Sequence, residues 1–350
     1  MVRLTRAQQQ ARTRASVLAA AADEFTEHGY AAAKVDRIAE RADLTRGAVY
    51  SNFPGKRALY LAVLLDLVGR DGGAPAEEPP ASAADALAAF ARTWLDRLPL
   101  MDDSAGRLRL RSLDGVLDHG RVLASLARLE ALLLATALEK TGPGRRVRLA
   151  ELVLTLLDGA THRAETAPGS GDPFDVVQAC RHLAGIDLAD TWAPPHLPFV
   201  APARTCADAW SPPEEPVDEI TGAAGAADGL VVVLGAHRLG AAEEAVRSAA
   251  PGEQVTIAVV TGDREETGRL VRLRLTDLLT CLRRVFTPEA WRHVRLVLDD
   301  DARIAAAIGL ADPDDETEAA VRVRDGLVIA RAEGRGAGHA AGSARTGATS

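Results

Sequence analysis

Residues 35–56 constrain this chain more than any other stretch. Val35, Ile38, Ala39 and Ala42 fall at i, i+3, i+4 and i+7, the spacing of a single apolar helical face. Asp43-Leu44 interrupts that face. Thr45 then stands where a side-chain oxygen caps the first free N–H groups of a new helix. Val49 and Phe53, four apart, give the second helix a buried side, and Arg46, Tyr50 and Asn52 lie off it. Two short helices around a tight corner, the second turning polar and aromatic side chains outward, spell a helix-turn-helix. That geometry lays one helix in a DNA major groove.

The same residues resemble the TetR family of bacterial transcriptional regulators. The family pattern is an Ile-Ala pair, a short turn, a Thr or Ser cap, a small residue, Tyr-x-x-Phe and a Lys soon after. Here these are Ile38-Ala39, Thr45, Gly47, Tyr50, Phe53 and Lys56, preceded by a helix over 8–28 and by Gly29-Tyr30. Two positions depart from the pattern. Ala33 and Lys34 stand where the family caps the first motif helix with Thr or Ser, and Asp43 stands where its turn carries Gly. The resemblance implies that Thr45, Tyr50 and Lys56 hold phosphates and that Arg46 and the exposed side of its helix read base edges, with Gly47 and Asn52 also at the DNA-binding surface. Lys34 and Arg37 would lie at the flank.

The whole chain carries a formal charge of -8, which by itself argues against a nucleic-acid partner. Its distribution reverses the argument. Residues 1–60 hold ten Lys and Arg against six Asp and Glu, a net of +4, while the remainder holds 31 against 43, a net of -12. A basic head on an acidic body suits a protein that meets DNA at one end only. No secretory signal precedes Asp23-Glu24, and no run approaches the ~18 apolar residues of a membrane span. Cys180, Cys206 and Cys281 form neither a CxxC pair nor a metal-ligand spacing, so buried thiols in a reducing cytoplasm are expected, with no metal or cofactor.

At 350 residues the chain should hold two or three domains. The layout predicts a multidomain protein with an all-α N-terminal part: a helix-turn-helix domain over 1–68 and a helical effector-binding and dimerisation domain over 83–192. Helices are expected over 83–97, 108–117, 122–140, 147–163 and 174–183. The resemblance places an effector pocket in this body and pairs its last two helices with those of a second subunit. Trp94, Met101, Arg111, His119 and His162 are the conspicuous pocket candidates, although an isolated Trp or Met at helical spacing is often plain core. Leu149, Leu152, Val153, Leu156 and Leu157 make a broad apolar face suited to a four-helix dimer interface.

A Pro- and acid-rich linker is expected over 193–227, since dense proline makes an extended spacer. Beyond it the reading is strand at 230–234, helix, strand at 254–260, long helix at 269–286, strand at 293–298, short helix, and a final hairpin about Asp325-Gly326. That order implies an α/β domain over 228–335. Residues 298–309 and 323–331 resemble the thioredoxin fold, most nearly its peroxiredoxin branch. A Gly/Ala-rich tail over 336–350 is expected to be disordered.

The chemistry of that fold needs a thiolate at the helix start after the first strand. The corner here reads Gly235-Ala-His-Arg-Leu-Gly240 and holds no Cys, so no catalysis is expected. Strand, Gly-x-x-x-x-Gly and helix also outline a dinucleotide corner, but His237 occupies the position where a backbone must approach pyrophosphate bare. The favoured expectation is a cytoplasmic, homodimeric repressor on a near-palindromic double-stranded operator, released by a small-molecule effector. The alternative is a redox sensor or redox enzyme working through the thioredoxin-like half.

Overall fold

The computed structural model describes residues 5–70, 73–98, 108, 120–191, 194, 196–213, 216–225 and 228–344. Among the described residues, eight α-helices precede a six-stranded sheet. Helix α1 (Arg6–Ala32) starts in a reciprocal cap between Thr5 and Gln8 and is broken at Gly29, whose φ of 68° suits a residue without a Cβ. Then come α2 (Val35–Arg41), α3 (Arg46–Tyr50) and α4 (Lys56–Gly69). Helix α4 is buried at seven consecutive positions, Ala58 through Leu64, so it has no solvent face there. It packs on α1 and on the long helix of the sheet domain.

The body consists of α5 (Ala83–Leu95), α6 (Gly120–Leu138), α7 (Val147–Thr166) and α8 (Pro173–Leu183). Ser82 caps α5 by accepting from Asp85 N, and Asp172 caps α8 ahead of Pro173, whose fixed φ suits a first helical turn. Most of the helix expected over 108–117 lies outside the described residues.

The second half is β1 (Arg204–Ala209), β2 (Gly229–Gly235), α9 (Ala242–Ser248), β3 (Val255–Val260), α10 (Arg269–Arg283), β4 (Val294–Leu298), α11 (Arg303–Ala307), β5 (Glu318–Arg324), β6 (Leu327–Glu333) and α12 (Ala337–Ser343). The sheet runs β1-β6-β5-β2-β3-β4. β2, β3 and β4 are parallel neighbours joined by helical crossovers; β5, β6 and β1 add antiparallel pairs. The expected alternation of strand and helix is therefore present, with one strand more at the start and one helix more at the end.

Side chains alternate across this sheet, as the two-residue period requires. Val231, Val233, Ala258, Val260 and Val297 face Ile304, Ala305 and Ile308 of α11 and its flank. Leu230, Val232, Leu234, Ile257, Val259 and Leu296 face the other way and belong to one core continuous with the helical body. Helix α10 packs against α4, α5 and α6, and α9 packs against α6. Trp291, 2% exposed, donates its Nε1 hydrogen to the Leu133 carbonyl of α6 at 2.9 Å. The two halves share a core; they are not two bodies on a tether.

Three expectations change here. The segment over 193–227 is not a plain spacer. It supplies β1, and residues 216–225 fold back to cover the outer edge of β4, where buried Asp218 accepts from Leu296 N and Glu219 N donates to Leu296 O. The tail from 336 is not disordered throughout: α12 buries Ala337, Ala340 and Ala341. A Cβ at Gly338 or Gly342 would lie 2.9 Å from Ala245 or Ser248 of α9, so small residues serve close helix packing there. Arg322 ties the end down by donating to the Gly342 and Ala344 carbonyls. Third, Leu149, Val153 and Leu157 of the expected dimer face are buried within their own subunit, Leu156 is half-buried, and Leu152 is 38% exposed. An α-helical stripe cannot serve both sides at once, and the inner side has these three.

Candidate nucleic-acid interface

The head is organised around one buried acid. Glu24 of α1 is fully buried; its carboxylate accepts from Lys34 N at 3.0 Å and from Arg37 Nε at 2.7 Å. Arg41 approaches the same carboxylate at 3.5 Å and Glu27 more closely. Burial raises the Glu24 pKa, but the Arg37 and Lys34 hydrogen bonds outweigh it and hold the carboxyl below its ordinary range. Lys34 itself makes no side-chain cap for α2. Glu24 reaches across from α1 to accept from the Lys34 backbone amide, the N–H that the Glu of a capping box would bind, so the entry of α2 is braced from another helix although no side chain caps its first turn.

The corner that follows has Asp43 at φ 54°, the left-handed conformation that Gly adopts freely and that Asp tolerates better than most residues. Thr45 Oγ1 then accepts from Ala48 N at 3.2 Å, as its position in the sequence requires. Val49 and Phe53 are buried. The Phe53 ring is flanked by the Arg14 guanidinium at 4.4 Å and by Arg269 of α10 at 5.5 Å.

The other expected contact residues separate into two groups. Arg46 and Tyr50 point outward, 5.5 Å apart as a cation over a ring, with Arg46 also 3.3 Å from Asp36. Tyr50 is 39% exposed. Gly47 is open: a Cβ there would meet only Thr45 Oγ1, at 3.8 Å. Three others are already engaged. Asn52 Nδ2 donates to Ala48 O at 2.9 Å. Arg37 binds Glu24 and the Ala32 carbonyl. Lys56 Nζ donates to Ala31 O at 3.2 Å and sits 4.8 Å from the Tyr30 ring. Burial lowers the Lys56 pKa. A groove lined by Arg6, Gln9, Gln10 and Thr13 of α1 runs beside Ser51 and Asn52.

Residues 17–63 match the family described as bacterial regulatory proteins, tetR family. The N-terminal head is a TetR-family domain. The chain is 45% identical over 51 residues to the HTH-type transcriptional activator FasR of Mycolicibacterium smegmatis. That match spans 15% of this chain and 23% of FasR, so it covers about a quarter of the relative. Among solved structures, NalD, the secondary repressor of the MexAB-OprM multidrug efflux pump in Pseudomonas aeruginosa, is 18% identical with a TM-score of 0.35 over 50% of this chain and 95% of its own. A TetR transcriptional regulator from Rhodococcus is 21% identical with a TM-score of 0.33 over 51% of this chain and 99% of its own.

Elsewhere the structure separates the expected pocket residues. Trp94 is core: its Nε1 donates to Thr161 Oγ1 at 3.0 Å, and the Arg97 guanidinium lies 4.0 Å from its ring. His162 is exposed. Met101, Arg111 and His119 lie outside the described residues. In the second half, both glycines of the 235–240 corner serve packing. A Cβ at Gly235 would collide with the backbone of Asp314 and Asp315, and one at Gly240 would come within 2.8 Å of Arg128 on α6. The corner amides are also occupied. His237 N donates to Asp315 O and Leu239 N to Ser125 Oγ. A pyrophosphate finds no free donors at these two positions. Among the described residues no group of three or more His, Cys, Asp or Glu is placed to hold a metal, and no helix is long and apolar enough to cross a membrane.

The sequence reading missed the residues that join the halves. Arg97 pairs with Asp277, Arg274 with Glu130 at 2.9 Å, and Arg247 with Glu139. A signal was present. Helix α10 buries Leu270, Val271, Leu273, Leu275, Leu278, Leu279, Cys281 and Leu282, too many for one face, which means a helix covered on two sides.

Proposed function

We propose that the chain is a homodimeric, DNA-binding transcriptional regulator, a repressor released from a near-palindromic operator by a small-molecule effector. The observation that carries this reading is helix α3: capped by Thr45, anchored by Val49 and Phe53, and turning Arg46, Gly47 and Tyr50 into solvent. Nothing in the chain's own packing demands a glycine at 47, which suits a helix that must lie close to a DNA backbone. In this reading Arg46 meets a base edge, and Thr45, Tyr50 and Lys56 meet phosphates, with Lys34 at the flank. Arg37 acts indirectly, by locking α2 to Glu24. Leu152, with Phe174 of α8 at 65% exposure, supplies the apolar surface for a second subunit.

A mobility-shift titration on operator fragments selected from the source genome tests the reading. Arg46→Ala should cost about 1–3 kcal/mol of specific binding if it reads a base. Wild-type affinity in that variant would remove α3 as the reader. Repression is tested by deleting the gene: target transcripts should rise, and a fall would make the protein an activator.

The sheet domain's strand and helix order supports a thioredoxin-like ancestry without its chemistry. Of the sheet domain's two cysteines, Cys206 is half-buried with its Sγ on Val328 O and Cys281 is buried within α10; Cys180 belongs to α8 of the body, where burial pushes its thiol up to about 11. Cys281→Ser should leave DNA affinity unchanged under oxidising and reducing conditions. Operator release by peroxide that this change abolishes would favour the redox-sensor reading.

A further inference from the structure

We propose that the sheet domain acts as an intramolecular brake on DNA binding, with Glu266 holding Arg57 of α4 out of reach of the phosphate backbone. The proposal rests on the head being a DNA reader. Arg57 Nη1 lies 3.2 Å from Glu266 Oε2, and both side chains are about two-thirds covered, at 34% and 27% exposure. The contact is fixed on both flanks. A Cβ on Gly55 would lie 3.6 Å from Glu266 Oε1. Arg269, three residues on, donates to the Ala58 carbonyl at 2.9 Å and stacks on Phe53, the residue that anchors the reader helix. Residues 264–269 are therefore seated against the turn that joins α3 to α4.

The charge of this seat runs against DNA. Asp263, Glu265 and Glu266 surround Arg264, and Arg264 is itself paired with Asp301. The neighbouring loop is continuous with them: Asp315 accepts from Thr261 Oγ1 at 2.8 Å and from Gly262 N. A duplex approaching the far end of the reader would meet carboxylates.

Partners of the head's other cations show why Arg57 is the one under outside control. Arg37 and Arg41 answer to Glu24 and Glu27, and Arg46 answers to Asp36, all within the head. Among the described ion pairs of the head, only that of Arg57 is supplied by the sheet domain. A shift of α10 relative to α4 would release this cation and leave the others in place.

The test uses the full chain and a random-sequence duplex of about 30 base pairs, followed by fluorescence anisotropy across a salt series. Freeing one cation for phosphate should steepen the slope of log K against log salt by about 0.9, which amounts to about fivefold tighter binding at about 0.15 M salt and little change near about 1 M. Glu266→Gln should show both effects, and Arg57→Gln added to it should remove most of the gain. Arg57→Gln alone should bind as the wild type does, because the cation it removes was already occupied; this variant keeps the proposal testable if Glu266→Gln melts early. Unchanged or weaker binding by a folded Glu266→Gln, or a loss of affinity in Arg57→Gln alone, would overturn the brake. A wild-type chain that binds no duplex at any salt would instead overturn the DNA-reading function.

Discussion

The head and the seam between the two halves both bury charge, and they use it differently. In the head one acid, Glu24, gathers the Lys34 amide, Arg37 and Arg41. It consumes basic side chains to set the angle between α1 and α2, and it leaves Arg46 and Tyr50 facing out. At the seam each guanidinium reaches one carboxylate across the halves, Arg97 to Asp277, Arg274 to Glu130 and Arg247 to Glu139, with Glu243 of α9 also 3.6 Å from Arg247. Each joins a helix of the body, or the turn just after it, to a helix of the sheet domain. Buried pairs add little net stability over apolar packing, but breaking one is costly. The head's network thus shapes a surface, whereas the seam's pairs fix one register of docking between halves.

The largest expected effect comes from removing the seam altogether. A chain ending at residue 191 exposes the α10-facing sides of α4 and α6 and loses the Trp291 bond to Leu133. It should aggregate or melt without a cooperative transition, a loss on the order of the 5–15 kcal/mol that holds a domain. A soluble, cooperatively melting dimer from that truncation would show that the body stands alone. Next, Glu130→Ala leaves Arg274 covered without its hydrogen-bonded carboxylate, with only Asp158 and Asp277 nearby, and should cost about 3 kcal/mol by chemical denaturation.

The head should respond to acid. The Glu24 pKa is lower folded than unfolded, so its contribution is complete above its ordinary value of 4.5 and is lost as pH falls through the lower folded value. Hydrogen exchange at the Lys34 amide should accelerate, relative to reference peptides, as pH falls below about 4.5, and Glu24→Gln should remove that step. An unchanged step in the variant would assign it elsewhere. The smallest effect is electrostatic: Lys56→Ala should flatten the salt slope of DNA binding by about one unit with equal loss on all sequences. A sequence-dependent loss would make Lys56 a base reader.

The head was legible because its determinants are local. The apolar spacing of 35–42, the Thr45 cap and the Val49/Phe53 pair each act within a few residues, and the structure has them as read. The bracing of the entry to α2 was not legible, because Glu24 acts on an amide ten residues away. Its trace was a carboxylate on the same helical face as Val17, Ala21 and Phe25. Docking of the sheet domain depends on pairs such as Arg57 with Glu266 that are far apart in sequence, and proline density suggested a spacer where a strand forms. The tail misled for a related reason. A tail of Gly, Ala, Ser and Thr carries no bulky apolar side chains to bury, yet against α9 that lack of bulk is what allows α12 to seat.

Helix α4 has a kinematic consequence. With Ala58 through Leu64 buried all round, it cannot bend in its first two turns without opening a core on some side. The reader helix and α4 then move together as one rigid lever, and the swivel lies toward the C-terminal end of α4, where Asp66 and Arg70 reach solvent and pair with each other. A signal arriving anywhere on the sheet would be felt at the DNA as rotation of the entire arm, with no slack along its length.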